Sequence, residues 1–170
     1  MTKSLIPVKS FPPFPPPRAL LFSCLLLGAG SLAHADSLAP YPGTQTVSSQ
    51  HSFEKVLQRL ESAIGDNKMG LVAQASASKG AAARGVKIPG NVVLMVFRND
   101  YAVRMLEASV PAGIEAPLRL YVTENKNGTA SVTYRTPSAT FAPYGSGKLD
   151  TLARELDPIF AKIVSDATGK

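Results

Sequence analysis

The sequence predicts an α+β fold, a two-layer sandwich in which about three helices pack on a mostly antiparallel sheet. Three observations predict this class. Strand-like and helix-like patterns follow one another in the order strand-helix-strand-strand-helix-strand-strand-helix. An Asn-Gly pair joins two of the strand-like segments, as it does in antiparallel hairpins. Residues 44–168 contain no cysteine and so cannot form a disulfide, but this segment is long enough to fold as a single domain around a buried apolar core.

The first half of the domain alternates extended and helical patterns. Residues 44–48 are rich in β-branched side chains and predict the first strand. Ser52 is the predicted N-cap of the first helix, which should end within residues 65–68. An extended pattern resumes over residues 70–77, and residues 79–84 are small and weakly helical. The apolar stripe of the first helix consists of Phe53, Val56, Leu57, Leu60 and Ile64.

The middle of the domain contains the longest apolar run, residues 92–97. An unbroken run of this kind predicts a central strand that is covered on both faces. Asn99 or Asp100 is the predicted cap of the helix that follows. Residues 118–124 and 129–135 predict the hairpin, and the alternation within the first of them indicates one buried face.

The remaining segments are a connector at residues 111–117, an irregular stretch at 137–147 and a last helix over about 148–164. Pro158 should kink or break that helix, because proline removes a backbone donor.

The N-terminus is typical of a secretory signal peptide. Residues 1–18 carry basic and no acidic side chains, and residues 19–29 are almost wholly apolar. The small residues Ala33 and Ala35 then form a cleavage site. We therefore expect residues 1–35 to be removed near Ala35, a periplasmic or secreted location, and a flexible leader over residues 36–43.

The apolar run is about half of the roughly 20 residues that a helix needs to span a bilayer, so we expect no permanent membrane span. Cys24 lies inside this run, whereas a lipidated cysteine would end it. The favoured interpretation is a cysteine discarded with the signal peptide, and lipidation of Cys24 is the alternative. A translation start further along the chain also stays open.

Removal of the signal peptide changes the charge. The full chain has a net charge of +6, from 18 basic and 12 acidic residues. Three of the basic residues and none of the acidic ones lie within residues 1–35, so the mature chain carries +3. Its basic residues are scattered, and we therefore expect no nucleic-acid partner.

The mature chain offers little to a cofactor or metal. Without cysteine it has no thiolate ligand or thiol nucleophile. His51 is its one histidine, and no further ligands lie at metal-binding spacing, so we predict a solvated residue at the start of the helix. We expect no cofactor and no metal site.

The candidate ligand-binding residues are polar or aromatic side chains at a strand-to-helix corner and on the predicted hairpin. A helix N-terminus at a strand end favours anions, and arginines on neighbouring strands could share one side of the sheet. The alternatives are a capped helix with solvated arginines, and a cross-strand pair of tyrosines. The candidates are Arg98, Asn99, Asp100, Arg119, Tyr121, Tyr134 and Arg135.

From Phe53 onward the chain resembles the prokaryotic family called domain of unknown function 302, as an exported, single-domain member. The segments that carry the resemblance are residues 53–64, 81–89 leading into 92–97, 115–122, 127–128 and 132–134. The resemblance implies a compact α/β fold that is able to dimerise, and it implies no established activity. The chain departs from the family pattern at a corner that usually reads Gly-Asn-Pro, where it keeps only Asn99. It also lacks a histidine common after the second strand.

Three functions follow as hypotheses. The favoured one is an exported, non-enzymatic binding or accessory protein of the bacterial periplasm, which forms a homodimer and has a small ligand or an envelope protein as partner. The first alternative is a cofactor-free, hydrolase-like enzyme with its site at Arg98, Asn99 and Asp100. The second is a structural envelope protein that forms a homodimer.

Overall fold

The computed structural model describes residues 41–170. The predicted signal peptide, its cleavage site and most of the predicted leader lie outside these residues. The described chain forms one five-stranded antiparallel sheet with the strand order β1-β5-β4-β3-β2. The strands are β1 (Thr44–Ser52), β2 (Gly70–Ala75), β3 (Asn91–Phe97), β4 (Leu118–Glu124) and β5 (Thr129–Arg135).

Helices account for most of the remaining residues. The α-helices are α1 (Phe53–Asp66), α2 (Ala77–Ala82), α3 (Asn99–Ala108), α4 (Pro137–Phe141) and α5 (Gly147–Thr168). Two short 3₁₀ helices span Val110–Glu115 and Ala142–Tyr144. The predicted α+β sandwich is confirmed, and its five strands and three longer helices follow one another along the chain as predicted, although the described residues hold more helices than the predicted three. The additional ones are too short to show a helical periodicity in sequence.

The apolar core lies between the two long helices and one face of the sheet. Ser52 caps α1 as predicted, because its hydroxyl accepts a hydrogen bond from the amide of Lys55 at 3.3 Å. Leu60 of α1 and Phe160 of α5 are fully buried against Leu120 and Val132 of the sheet. This packing fixes which face of every strand looks away from the helices.

The prediction that residues 92–97 are covered on both faces is wrong. Val92, Leu94 and Val96 are buried, whereas Val93 and Met95 between them are only half-buried. The two long helices pack on one side, so alternate side chains of β3 belong to the opposite surface. We call this surface the open face; its members include Thr44, Thr46, Val93, Met95, Arg119, Tyr121, Thr133 and Arg135.

The predicted cap of α3 is also wrong, and α5 is not broken at Pro158. Neither Asn99 nor Asp100 caps α3, since Arg98 occupies the N-cap position without a side-chain cap. Pro158 lies inside α5, which continues to Thr168. Pro158 is on the exposed side of α5, and buried Leu156 and Phe160 on either side hold the helix against the core.

Candidate functional site

A cleft opens where β1 begins, β5 ends and β4 begins. We call it the strand-end cleft. Its volume is about 310 Å³, and it lies at the margin of the open face. Four of the seven candidate residues line it together with residues from the chain before β1 and after α3. The lining includes Tyr41, Glu115, Arg119, Tyr121, Tyr134 and Arg135.

The alternation of β4 places two of these side chains. Leu118, Leu120 and Val122 pack toward the helices, so Arg119 and Tyr121 must project from the open face. Tyr121 is 40% exposed. Its partner across the hairpin is Thr133, and its partner on the other side is Val93.

The tyrosine pair considered as an alternative does not form. Tyr134 stands opposite Leu120 rather than opposite Tyr121, so the two rings belong to different faces of the sheet. Tyr134 is only 8% exposed and reaches the cleft from its core side. Burial raises the pKa of its phenol, and the negative charge of Asp157 raises that pKa further.

The arginines of the cleft are incompletely paired. Arg135 donates from Nη2 to the carbonyl of Ala139 at 2.8 Å, while its Nε is buried with no partner among residues 41–170. Arg119 is 3.9 Å from Glu115, and its side chain is 64% exposed. Glu115 also accepts a hydrogen bond from the hydroxyl of Tyr144 at 3.0 Å. Two effects raise the pKa of the Tyr144 phenol: burial is the larger one, and the contact with Glu115 is the smaller one.

The strand-to-helix corner is a separate place. Arg98 donates to both carboxylate oxygens of Asp100, at 2.7 and 2.9 Å, and stacks 4.1 Å above the ring of Tyr101. The hydrogen bond from Arg98 lowers the pKa of the Asp100 carboxyl, and the same bond raises the pKa of Arg98. Asn99 is exposed beside them. Among the three, Arg98 borders an apolar cavity of about 30 Å³, which has room for one water molecule.

The family model described as "Domain of unknown function DUF302" matches residues 45–167. The chain belongs to this family. A structural relative is the crystal structure of an uncharacterized conserved DUF302 protein from Bacillus stearothermophilus, which is 20% identical to this chain. The similarity covers 74% of this chain and 98% of that one, with a TM-score of 0.67, and it shows that the two share a fold. No curated protein matches the sequence.

In this DUF302 domain the seven candidate residues lie in two separate places. Arg119, Tyr121, Tyr134 and Arg135 line the strand-end cleft, and Arg98, Asn99 and Asp100 do not. Seven further lining residues were not among the candidates, and Tyr41 and Glu115 are two of them. Glu115 precedes Arg119 by four residues, a spacing that hints at an ion pair, but it lies in a segment predicted only as a connector.

Two further features bear on ligands of the DUF302 domain. Within residues 41–170 there is no group of three or more histidine, cysteine or acidic side chains placed to hold a metal ion. Over the same residues, no helix is both long and apolar enough to cross a membrane.

Proposed function

We propose that this DUF302 protein is an exported, non-enzymatic binding protein of the bacterial periplasm that holds a small organic ligand in the strand-end cleft. One observation carries the proposal, namely the convergence of two arginines and three tyrosines on a cleft of about 310 Å³. This volume lies within the range of about 300–1,000 Å³ that small-molecule sites occupy. The basic and apolar segments at the N-terminus support export.

The groups in the cleft are suited to holding a ligand rather than to moving protons. An arginine keeps its charge across the physiological pH range and cannot serve as a base. The raised pKa of Tyr134 keeps its phenol protonated near neutral pH. Glu115 is already bound to the hydroxyl of Tyr144. We therefore favour binding over catalysis.

The strand-to-helix corner supports the hydrolase-like alternative less well. A general base must be free to take a proton, with a pKa near the operating pH. The Asp100 carboxylate instead accepts hydrogen bonds from Nε and Nη2 of Arg98, which lower the pKa of this carboxyl. If the purified protein turns over a metabolite from a periplasmic extract, and Arg98→Ala abolishes that turnover, the enzymatic alternative replaces our proposal.

The open face favours a second candidate function, a structural homodimer of the envelope. Val93, Met95 and Tyr121 are apolar or aromatic and remain half-buried or exposed on this face. A second copy of the chain could cover them. Sedimentation velocity of the purified protein tests this candidate, which requires a dimer at micromolar concentration that Met95→Asp dissociates.

The binding proposal is tested by blocking the cleft. The full chain is expressed in a bacterial host, and the product is isolated from the periplasm, where its mass should show the loss of residues 1–35. Fragments from a small-molecule library are then screened by saturation-transfer NMR. In Thr133→Phe the new ring occupies the cleft. Thr123→Phe is the control, because it adds the same ring to the neighbouring strand β4 at a position that does not line the cleft.

We expect fragments that bind the natural protein and Thr123→Phe but not Thr133→Phe. Equal binding to all three proteins would place the ligand elsewhere. No binding at all would leave the cleft without a role and would reject the proposal.

A further inference from the structure

The strand register places two like charges side by side at the strand-end cleft. The paired positions of β4 and β5 end at Leu120 and Tyr134, and continuing the same antiparallel register by one residue brings Arg119 opposite Arg135; both side chains line the cleft. Both lie on the open face, between Thr44 on one side and Met95 on the other. Like charges at directly opposite positions of an antiparallel pair are destabilising.

The chain compensates this repulsion only in part. Among residues 41–170, the one carboxylate that reaches Arg119 is that of Glu115; it stands 3.9 Å away, beyond good hydrogen-bond distance, and is shared with Tyr144. Arg135 meets a neutral carbonyl, that of Ala139, and its buried Nε has no partner among the described residues. A buried donor without a partner is costly, and a charged one more so. The arrangement therefore leaves unused donor capacity and a local net charge of about +1.

An apolar strip continues from the arginines along the open face. Two residues further along the strands, Thr133, Tyr121 and Val93 stand in a row across three strands. The ring of Tyr121 is 40% exposed and lines the cleft together with Val93. A flat apolar group could lie on this row while a charge attached to it reaches the arginines.

We infer that the ligand of the strand-end cleft is a small organic monoanion, an aromatic or aliphatic carboxylate held between Arg119 and Arg135 with its apolar part on Tyr121. This inference rests on the proposed binding function and names its ligand class. The planar guanidinium fork matches a carboxylate in two parallel hydrogen bonds. Glu115 offsets one of the two positive charges, so a monoanion fits the site better than a dianion.

The test compares benzoate with benzamide, which has nearly the same shape and no charge. Affinities for both, and for inorganic phosphate, are measured by calorimetry on the mature protein at low and high salt. Benzoate should bind about tenfold or more tightly than benzamide and more tightly than phosphate, since a charge-assisted bidentate contact is worth roughly that factor. The preference for benzoate should shrink as salt rises.

Arg119→Gln is the principal variant, because its exposed side chain makes only the long contact to Glu115 and its loss should leave the fold intact. It should remove most of the preference for benzoate over benzamide. Arg135→Gln should do the same, with circular dichroism to confirm that it folds. Arg154→Gln, an equal change of charge on the exposed side of α5, is the matched control and should bind benzoate as the natural protein does.

Several results would overturn the inference. Equal affinity for benzoate and benzamide would mean that the arginines do not contribute to binding through the charge of the ligand, although the cleft could still bind neutral ligands. Phosphate binding as tight as benzoate binding would indicate an anion site without an apolar part. If none of the three binds, the carboxylate assignment fails, and the fragment screen with Thr133→Phe then decides separately whether the cleft binds anything.

Discussion

Replacement of Gly43 by alanine should disturb the start of β1, beside the strand-end cleft. Gly43 adopts a left-handed backbone conformation with φ of +75°. A Cβ atom added there would clash with the Cβ of Ala139 in α4 and would lie 3.2 Å from the Oγ1 of Thr136. The amide of Thr136 also donates to the carbonyl of Gly43 at 2.9 Å, which holds the two segments together.

The expected cost has two parts. The left-handed conformation costs a residue with a Cβ about 1–2 kcal/mol. Overpacking against Ala139 adds about 1–3 kcal/mol, because the two Cβ atoms are attached directly to the backbone, and the backbone must therefore shift to separate them. Gly43→Ala should therefore lose about 2–5 kcal/mol in the free energy of unfolding. For a domain of this size, that corresponds to a fall in Tm of about 4 °C per kcal/mol.

Two companion variants separate the parts. Gly85 has the same φ of +75°, but nothing lies within 4 Å of an added Cβ, so Gly85→Ala measures the conformational cost alone. Ala139→Gly removes the clashing atom and costs about 1 kcal/mol as a glycine in a helix. In the double variant, Ala139→Gly should recover the overpacking part, about 1–3 kcal/mol, so the two substitutions should not be additive.

The assay is urea unfolding followed by far-ultraviolet circular dichroism, with m-values compared to confirm a two-state transition. Equal losses in Gly43→Ala and Gly85→Ala would refute the described contact, as would additive effects in the double variant. Because Arg135 donates to the carbonyl of Ala139, the displaced helix should also weaken benzoate binding.

Three further predictions concern pH and buried polar groups. The hydrogen bond from Arg104 lowers the folded-state pKa of Glu155, so this pair stabilises the fold above the ordinary glutamate pKa of about 4.3, and the stabilisation is lost as the pH falls through the lower folded value. Arg104→Gln should therefore flatten the fall in Tm on acidification below that pH, and an unchanged slope would contradict the pairing. Burial raises the folded-state pKa of Tyr134, so its contribution is complete below about pH 10 and is lost as the pH rises through the folded value. Tyr134→Phe should reduce the loss of unfolding free energy between about pH 9 and 11, and identical pH profiles would show that the phenol is not buried in solution. Ser49 is 1% exposed, donates to the carbonyl of Thr168 at 2.9 Å and accepts from the amide of His51 at 3.1 Å. Ser49→Ala should cost about 1–3 kcal/mol in urea unfolding, and a loss below 0.5 kcal/mol would mean that water replaces the hydroxyl.

Local patterns in the chain predict most of the fold. Three features depend only on neighbouring residues, so they can be predicted from the sequence. They are the helical spacing from Phe53 to Ile64, the Ser52 cap and the hairpin at Asn127 and Gly128. The short helix α2 is predicted only as a weakly helical segment, and α4 is not predicted at all, since five or six residues hold too few turns to show a period. Pro158 misleads for a related reason: tertiary packing of α5 overrides a local preference for breaking the helix.

The candidate site is predictable only in part. Alternation along β4 is enough to place Arg119 and Tyr121 on one face, and to separate them from Leu120. Which residues of other segments join them depends on strand order and register. The chain before β1 and the 3₁₀ turn before β4 meet at one end of the sheet, and this brings Tyr41 and Glu115 to the cleft.

The α+β class, the family, the long amphipathic helices and the hairpin can therefore be assigned from the amino-acid sequence alone, because each rests on residues close together in the chain. Three relations depend on the tertiary structure: within residues 41–170 the long helices cover one face of the sheet, Arg98 and Asp100 neutralise one another away from the cleft, and Arg119 and Arg135 line the same cleft. These relations join side chains from different elements. Their energies depend on distance and burial, which exist only once the sheet has paired and the helices have packed on it.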